Sequence, residues 1–321
     1  MAVTTTPNTQ LLSPLPPATG RAGLRGAIAS EFTKIRSVRS TYWTLAALLV
    51  VSIGIGAAIT GGSAANFDHN LANKAGFDAT QTSLVAFFEI AQLIIAVIAA
   101  LAITSEYSTG MIRTSLTAQP RRGRVYAAKA IVLTSLTLIV SLVTSFIAFF
   151  VGQALLSSSG VSASLFHSVT IPQNANVTCP QQGQVAGGGG LPPGCKVVFS
   201  GTDVISPTTV LLAIIGCVLF VTLVAIMAFG IGAIVRHTAG TIAVAIAALF
   251  IIPVLEHALP DNWRFDIMRF LPDAANQVIS VTVGSNASPH LWSAWPQLGV
   301  TALWAAALIA AGAYLFRKRD A

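Results

Sequence analysis

The sequence predicts an all-α integral membrane protein with six transmembrane helices and with both termini in the cytoplasm. Two features lead to this fold class: six long apolar stretches, and charged residues that sort by the gap in which they fall. About 20 mostly apolar residues cross the hydrocarbon core of a bilayer as a helix. The stretches of that length are 42–60, 84–103, 125–156, 208–235, 241–259 and 295–316.

The charges predict the orientation of these spans. Every second gap, beginning with the N-terminal segment, falls on one side of the membrane. These gaps and the span ends beside them hold 14 of the 18 Lys and Arg residues and three of the 11 acids. The other gaps hold four basic and eight acidic residues, so the two sides carry net charges of +11 and −4, in agreement with the formal +7. Lys and Arg are retained on the cytoplasmic side of a membrane. The gap at 104–124 and the tail at 317–321 are therefore predicted to be cytoplasmic.

The composition excludes other classes of protein. The chain is 54% hydrophobic and 9% charged, whereas a soluble globular domain is about 25% charged. A sequence pI of about 9.8 would also suit a nucleic-acid-binding protein, but such proteins cluster their charge on a water-facing domain, and no water-facing segment is long enough here. The first span follows 41 residues, more than the roughly 15–30 of a signal peptide, so it is predicted to be a retained helix.

The N-terminal segment predicts a helix at the membrane surface. Residues 1–22 are predicted to be disordered because they have little apolar content. In 23–40, apolar residues recur at helical spacing and basic residues supply the polar side; a basic amphipathic helix beside a membrane usually lies in the interface plane. An ordinary positive-inside flank is the alternative. The apolar residues are Leu24, Ile28, Phe32, Ile35 and Val38, and the basic residues are Arg25, Lys34, Arg36 and Arg39.

The outer side is predicted to carry a long loop, 157–207, and an amphipathic or re-entrant segment, 260–294. The loop contains Cys179 and Cys195, and a disulfide between them is predicted because the outer face is oxidising. Closing a loop of about 15 residues contributes roughly 3 kcal/mol in the chain-entropy treatment. A metal site is the alternative, although two sulfurs without a nearby His or acidic pair are too few ligands.

The sequence carries no motif for catalysis or for metal binding. It lacks the phosphate-binding G-x-x-x-x-G-K-[ST] and the zinc-binding H-E-x-x-H, so we expect a chain that is not an enzyme and that binds no cofactor or metal itself. Glu89 and Glu256 lie near the outer ends of two spans, and ionisable groups at membrane depth are candidates for function. A structural or substrate-cavity role is predicted for them, with a proton relay as the alternative.

The cytoplasmic gap after the second span predicts a short helix. Gly110 can open a new turn, and Met111, Ile112 and Leu116 give a small apolar face. Pro120 ends any helix that forms. A helix this short gains little stability by itself, so docking against a partner would order it. A solvated basic loop is the alternative.

Two motifs in these cytoplasmic segments resemble a known family. The run Ser-Glu-Tyr-x-x-Gly-x-Ile-Arg-Thr-x-Leu-Thr-x-x-Pro-Arg-Arg begins at Ser105, and the run Ser-Glu-Phe-Thr-Lys-Ile-Arg-Ser-Val-Arg-Ser-Thr-Tyr-Trp-Thr begins at Ser30. Both are similar to segments of ABC-2 type transporter permeases, especially those of high-GC Gram-positive bacteria. The region of Leu271 and Pro272 is similar but less specific, and the six-span layout agrees.

The resemblance implies a function for each segment. Residues 23–40 would be the connecting helix, and 110–116, within the coupling segment 104–124, would be the coupling helix. The chain would be one of two permease copies, identical or related, in the bacterial plasma membrane. Separate cytoplasmic ABC ATPase subunits would bind ATP and Mg²⁺. The residues expected to serve ATPase coupling are Glu106, Tyr107, Gly110, Arg113, Thr114, Arg121 and Arg122.

The resemblance favours an exporter of a hydrophobic or amphipathic substrate. A drug, a lipid and a hydrophobic peptide suit the apolar spans equally well. The alternatives are a secondary transporter or channel, which would move its substrate on an ion gradient without an ATPase, and a membrane scaffold or sensor that moves no substrate.

Overall fold

The computed structural model describes most of the helical bundle and part of the outer loop. The described residues are 23–69, 77–118, 121–172, 175–178, 196–251, 293–318 and short pieces between 255 and 272. Their longer helices are α1 Leu24–Ser37, α2 Arg39–His69, α3 Ala79–Ser108, α4 Met111–Ala118, α5 Arg122–Leu156, α6 Pro207–Val235, α7 Thr238–Ile246 and α8 Ala294–Lys318.

The described residues are mostly helical, as predicted, and they include five helices that are long and apolar enough to cross a membrane. Their apolar parts are Thr41–Phe67, Ala79–Ser108, Arg122–Ser159, Pro207–Val235 and Ala294–Lys318. The sixth predicted span, 241–259, is described as α7 and the π-helical turn Ala247–Ile251. Most of its remainder lies outside the described residues.

The helix ends follow capping signals in the sequence. α3 begins where the Asp78 carboxylate accepts a hydrogen bond from the Gln81 N–H at 2.8 Å, and α6 begins with Pro207 after its cap Ser206. Both are preferred residues at a helix start. α1 and α2 are separated at Val38, which is extended. α2 runs on to His69, past the predicted end of the first span at residue 60.

The outer loop contains four short strands, so the all-α prediction is wrong for this loop. β1 Val169–Pro172 pairs antiparallel with β4 Thr202–Ile205. Between them along the chain, β2 Ala175–Thr178 pairs antiparallel with β3 Lys196–Phe199. These strands are rich in Val, Ile and Thr, whose branched side chains fit a pleated surface.

α3 and α6 form the centre of the bundle. In an apolar stretch of 18 residues, 56% of the residues of α3 and 67% of those of α6 are buried, compared with 22% in α2 and in α8. α6 packs on α3, α5 and α8. Its contact with α8 requires a glycine, because a Cβ atom at Gly230 would lie 2.7 Å from the carbonyl carbon of Leu308. α2 and α8 therefore keep broad apolar faces on the outside of the bundle.

Candidate functional site

The short helix α4 connects the inner end of α3 to the start of α5. Gly110 makes the turn into it with a φ of +71°, a conformation that glycine adopts without strain. Ile112 is buried and Leu116 packs against the bundle core, while Met111 and Thr114 are exposed. One side of α4 is therefore attached to the bundle, and the other side is open to a partner.

Four charged side chains meet where α4 joins the bundle, and we call them the ion cluster. The Nζ atom of Lys129 lies 2.6 Å from Glu31 Oε2 and 2.8 Å from Glu106 Oε1. The Nζ atom of Lys34 lies 2.8 Å from Glu31 Oε1 and 3.0 Å from the same Glu106 oxygen. Glu31 and Lys34 belong to α1, Glu106 to the end of α3 and Lys129 to the first turns of α5. The ion cluster therefore joins three helices.

The ion cluster is enclosed and electrically balanced. The side chains of Glu31, Glu106 and Lys129 are only 8%, 7% and 8% exposed, and that of Lys34 is 34% exposed. Two carboxylates and two ammonium groups leave no net charge. Buried charges are tolerated only when they are paired and hydrogen-bonded, so the geometry of the three helices and the pairing of these charges depend on each other.

Burial and charge act in opposite directions on the two α1 members. Burial raises the pKa of Glu31, but the charge and hydrogen bond of Lys129, with those of Lys34, outweigh it, and the pKa lies below its ordinary value. Burial lowers the pKa of Lys34, but its hydrogen bonds and attraction to Glu31 and Glu106 outweigh it, and the pKa lies above its ordinary value. Both residues are therefore held in their charged forms.

Lys34 also reaches the coupling segment. Its ammonium donates a hydrogen bond to Ser115 Oγ of α4 at 3.3 Å. The carboxylate oxygen Glu106 Oε2, in contrast, is buried and accepts no hydrogen bond from any residue that the structure describes. The contact through Lys34 gives α4 a polar connection to α1 in addition to its covalent links to α3 and α5.

A second set of contacts ties the end of α3 to α6 and α8. The guanidinium of Arg236 lies 5.0 Å from the centre of the Tyr107 ring, a cation–π distance, and its Nη2 donates to the Leu315 carbonyl at 3.3 Å. Tyr126 of α5 donates its hydroxyl hydrogen to the Ile309 carbonyl at 3.0 Å, and its ring lies against Phe316. These contacts therefore connect the inner ends of α3, α5, α6 and α8.

The structure separates the residues that the sequence grouped together. Lys34, grouped with three arginines on the polar side of α1, turns to the ion cluster because two buried carboxylates attract it. Glu106 faces the same cluster and not the exposed side of α4. Arg121 is exposed and Arg122 half-buried at the start of α5, whereas the Arg113 side chain lies outside the described residues.

The remaining predicted site residues lie elsewhere. Glu89 is half-buried in α3, where its Oε2 accepts a hydrogen bond from Gln92 Nε2 at 3.2 Å. It is ten residues from the start of α3 at Ala79, so it lies deeper along the helix than the predicted span boundary implied. Glu256, Cys179 and Cys195 lie outside the described residues.

Sequence reasoning missed Glu31 and Lys129 as members of a site. A signal was present for each. Glu31 is the one acid in the basic segment 23–40, and Lys129 is an ammonium group among apolar residues of a span. An ionisable residue at such a position calls for a partner, although the sequence does not say which one.

The comparisons with known proteins agree with this layout. Residues 27–176 match the family model described as ABC-2 family transporter protein. No curated protein matches the chain. The matched segment contains every member of the ion cluster, the whole of α4, and both motifs on which the resemblance was based. The match thus confirms the resemblance: residues 27–176 are similar to the ABC-2 family transporter proteins.

Proposed function

We propose that this chain is the transmembrane permease subunit of an ABC transporter that exports a hydrophobic or amphipathic substrate. ATP and Mg²⁺ bind to a separate cytoplasmic ATPase subunit, and a second permease copy completes the transport pathway. The observation that carries the proposal is α4: a short helix inside the family match, attached by one side to the ion cluster and the core and open on the other.

The ion cluster supports a mechanical role for α4. A displacement of α4 would act on α1 through Lys34 and Ser115, on α3 through Glu106 and on α5 through Lys129. Charged pairs that are hydrogen-bonded in a low-dielectric site resist separation. α1, α4 and the inner ends of α3 and α5 would therefore move as a unit, as rigid-body models of alternating access require.

The exposed side of α4 and the start of α5 would form the docking surface. Met111 and Thr114 offer small apolar and hydroxyl contacts, and Arg121 offers a guanidinium that can pair with a carboxylate in two parallel hydrogen bonds. Arg113, which also belongs to α4, is proposed as a second basic contact. Carboxylates on the ATPase are the complementary chemistry.

The test begins with an ATPase that co-purifies with this chain and carries G-x-x-x-x-G-K-[ST]. We expect the double variant Arg113→Glu, Arg121→Glu to insert normally but to lose both the stimulation of ATP hydrolysis and substrate export from vesicles, because like charges then face each other. Lys196→Glu, on the outer strand β3, is the matched charge reversal and should change neither. Transport by the purified chain on an ion gradient, without any ATPase, would favour a secondary transporter instead.

A disulfide on the outer loop belongs to the same proposal. β2 ends at Thr178, which is paired in register with Lys196, the first residue of β3. Cys179 follows Thr178 and Cys195 precedes Lys196 in the sequence. Opposite residues of an antiparallel pair have the Cα separation that a disulfide needs. Under denaturing, non-reducing conditions we expect one reactive thiol, Cys217, and after reduction three. Three reactive thiols without reduction would contradict the bond.

A further inference from the structure

The surface of α1 divides into strips of different chemistry. With 3.6 residues per turn, Ala27, Glu31 and Lys34 share one strip, and it faces the protein: Ala27 and Glu31 are buried, and Lys34 is bound in the ion cluster. This contact fixes the rotation of α1 about its own axis. The other strips therefore point in set directions relative to the bundle.

The strip beside the protein contact is apolar. It consists of Leu24, Ile28, Phe32 and Ile35 at helical spacing. Leu24 is 39% exposed and Phe32 is 53% exposed, while Ile28 and Ile35 are partly buried. An exposed phenylalanine ring on a surface helix contributes to stability only when an apolar phase covers it.

Two arginines border this apolar strip on the side away from the protein. Arg25 and Arg36 are eleven positions apart, which is about three helical turns, so they lie on one line about 16 Å apart along the axis. Both side chains are exposed, and neither forms an ion pair with any residue in the described ranges. Two guanidinium groups are thus held at the edge of an apolar surface.

The junction between α1 and the first span fixes the depth of this surface. The Tyr42 hydroxyl donates to the Arg36 carbonyl at 3.1 Å, which ties the end of α1 to the start of α2 across the break at Val38. The neighbouring Trp43 is 76% exposed. Exposed Tyr and Trp at the end of a span belong to the membrane–water interface, so the end of α1 lies at headgroup level.

We propose that α1 is an anionic-lipid-binding helix. Its apolar strip enters the acyl boundary of the adjacent leaflet, and Arg25 and Arg36 each bind a phosphate headgroup of an anionic lipid such as phosphatidylglycerol. Arginine suits this role because its planar fork can hold two phosphate oxygens at once. Basic residues at the edge of an apolar helix face add attraction to anionic lipids. The inference is independent of the proposed ATPase partner, since it requires only this chain and a membrane.

The experiment measures thermal unfolding of the purified full-length chain in detergent during titration with lipid. Phosphatidylglycerol and phosphatidylcholine with the same acyl chains are the two probes. We expect phosphatidylglycerol to raise the unfolding midpoint at lower concentration. In Arg25→Gln the concentration required should rise about fivefold, and in Arg25→Gln, Arg36→Gln roughly 30-fold, because a basic residue near an anionic surface contributes about a factor of five. Raising the ionic strength should reduce the preference in the unchanged chain.

Three controls make the outcome decisive. Lys196→Gln, which removes a positive charge from the outer strand β3, should keep the full preference for phosphatidylglycerol. Phe32→Ser should weaken the effect of both lipids and leave the preference between them. Glycerol phosphate without acyl chains should not stabilise the chain. The proposal is overturned if the double arginine variant keeps the preference, or if glycerol phosphate stabilises as well as the lipid does.

Discussion

Lys129 is an ammonium group held inside the first turns of a membrane-spanning helix by two carboxylates. Its contacts with Glu31 and Glu106 are 2.6 and 2.8 Å long, and its side chain is 8% exposed. A cation at this depth is tolerated because the desolvation of each charge is offset by its partner. Single substitutions in the ion cluster should therefore be more damaging than the removal of the whole charge set.

Replacement of Lys129 tests this dependence. We expect Lys129→Met to lower the free energy of unfolding by about 3–5 kcal/mol, because it leaves one uncompensated negative charge in the ion cluster. Adding Glu31→Gln should recover part of the loss, since the net charge of the cluster returns to zero. Unfolding curves of the solubilised chain measure both. Equal stability of the single and double variants would mean that the charges do not interact.

The pKa directions of Glu31 and Lys34 predict the pH dependence of stability. Because the pKa of Glu31 is below its ordinary value of 4.5, its contribution is complete above about that pH and is lost as the pH falls through the lower, folded-state pKa. Because the pKa of Lys34 is above its ordinary value of 10.5, its contribution is complete below that pH and is lost as the pH rises through the higher, folded-state pKa.

The unfolding midpoint measured against pH should therefore show a plateau between these limits. Glu31→Gln should lower the plateau and flatten the acid limb, while Lys34→Gln should lower the plateau and flatten the alkaline limb. If the unfolding midpoint of Glu31→Gln fell with acid as steeply as that of the unchanged chain, the loss of stability at low pH would come from other carboxylates.

At the level of elements, the bundle depends on close approaches between helices that small residues permit. α6 meets α8 at Gly230, where an added Cβ would lie 2.7 Å from a backbone carbonyl carbon of α8, and at Gly312, where it would lie 3.0 Å from Ala233 Cβ and 3.1 Å from the Gly230 carbonyl oxygen of α6. Backbone cannot give way as the end of a flexible side chain can. The contact between these two helices is therefore fixed by residue size.

Gly230→Ala tests the helix contact. We expect a loss of about 1–3 kcal/mol in unfolding free energy, the usual result of forcing an extra group into a packed site. Gly299→Ala in α8 is the matched control, because its added Cβ has no neighbour within 4 Å from another part of the described structure and alanine favours a helix by up to about 1 kcal/mol over glycine. Equal effects at the two positions would show that packing does not limit the α6–α8 distance.

For the whole molecule, the distribution of charge predicts the orientation of the chain across the membrane. The side with a net +11 carries α1 and α4, and the side with −4 carries the strands β1–β4. The sorting of Lys and Arg predicts the first side to be cytoplasmic. The ion cluster and the outer ladders are consistent with this assignment, since they lie at opposite ends of α5.

Labelling of single cysteines tests the orientation. In a chain with Cys179, Cys195 and Cys217 changed to Ser, we expect a membrane-impermeant maleimide to label Lys196→Cys in intact cells. Arg121→Cys should be labelled only after the membrane is opened. The reverse pattern would invert the topology and would place α4 on the side away from ATP.

The sequence by itself determined the five long apolar helices, the sorting of charge and the motifs that resemble ABC-2 permeases. These features are local, because a run of apolar residues or a basic flank partitions between water and lipid according to its own composition. Only the tertiary structure decided that Glu31 pairs with Lys129, which is 98 positions away along the chain, and that Lys34 turns inward while Arg25 and Arg36 stay exposed. Such pairings depend on which helix faces meet, and helix packing is set by the fit of side chains from distant segments, not by the composition of any one of them.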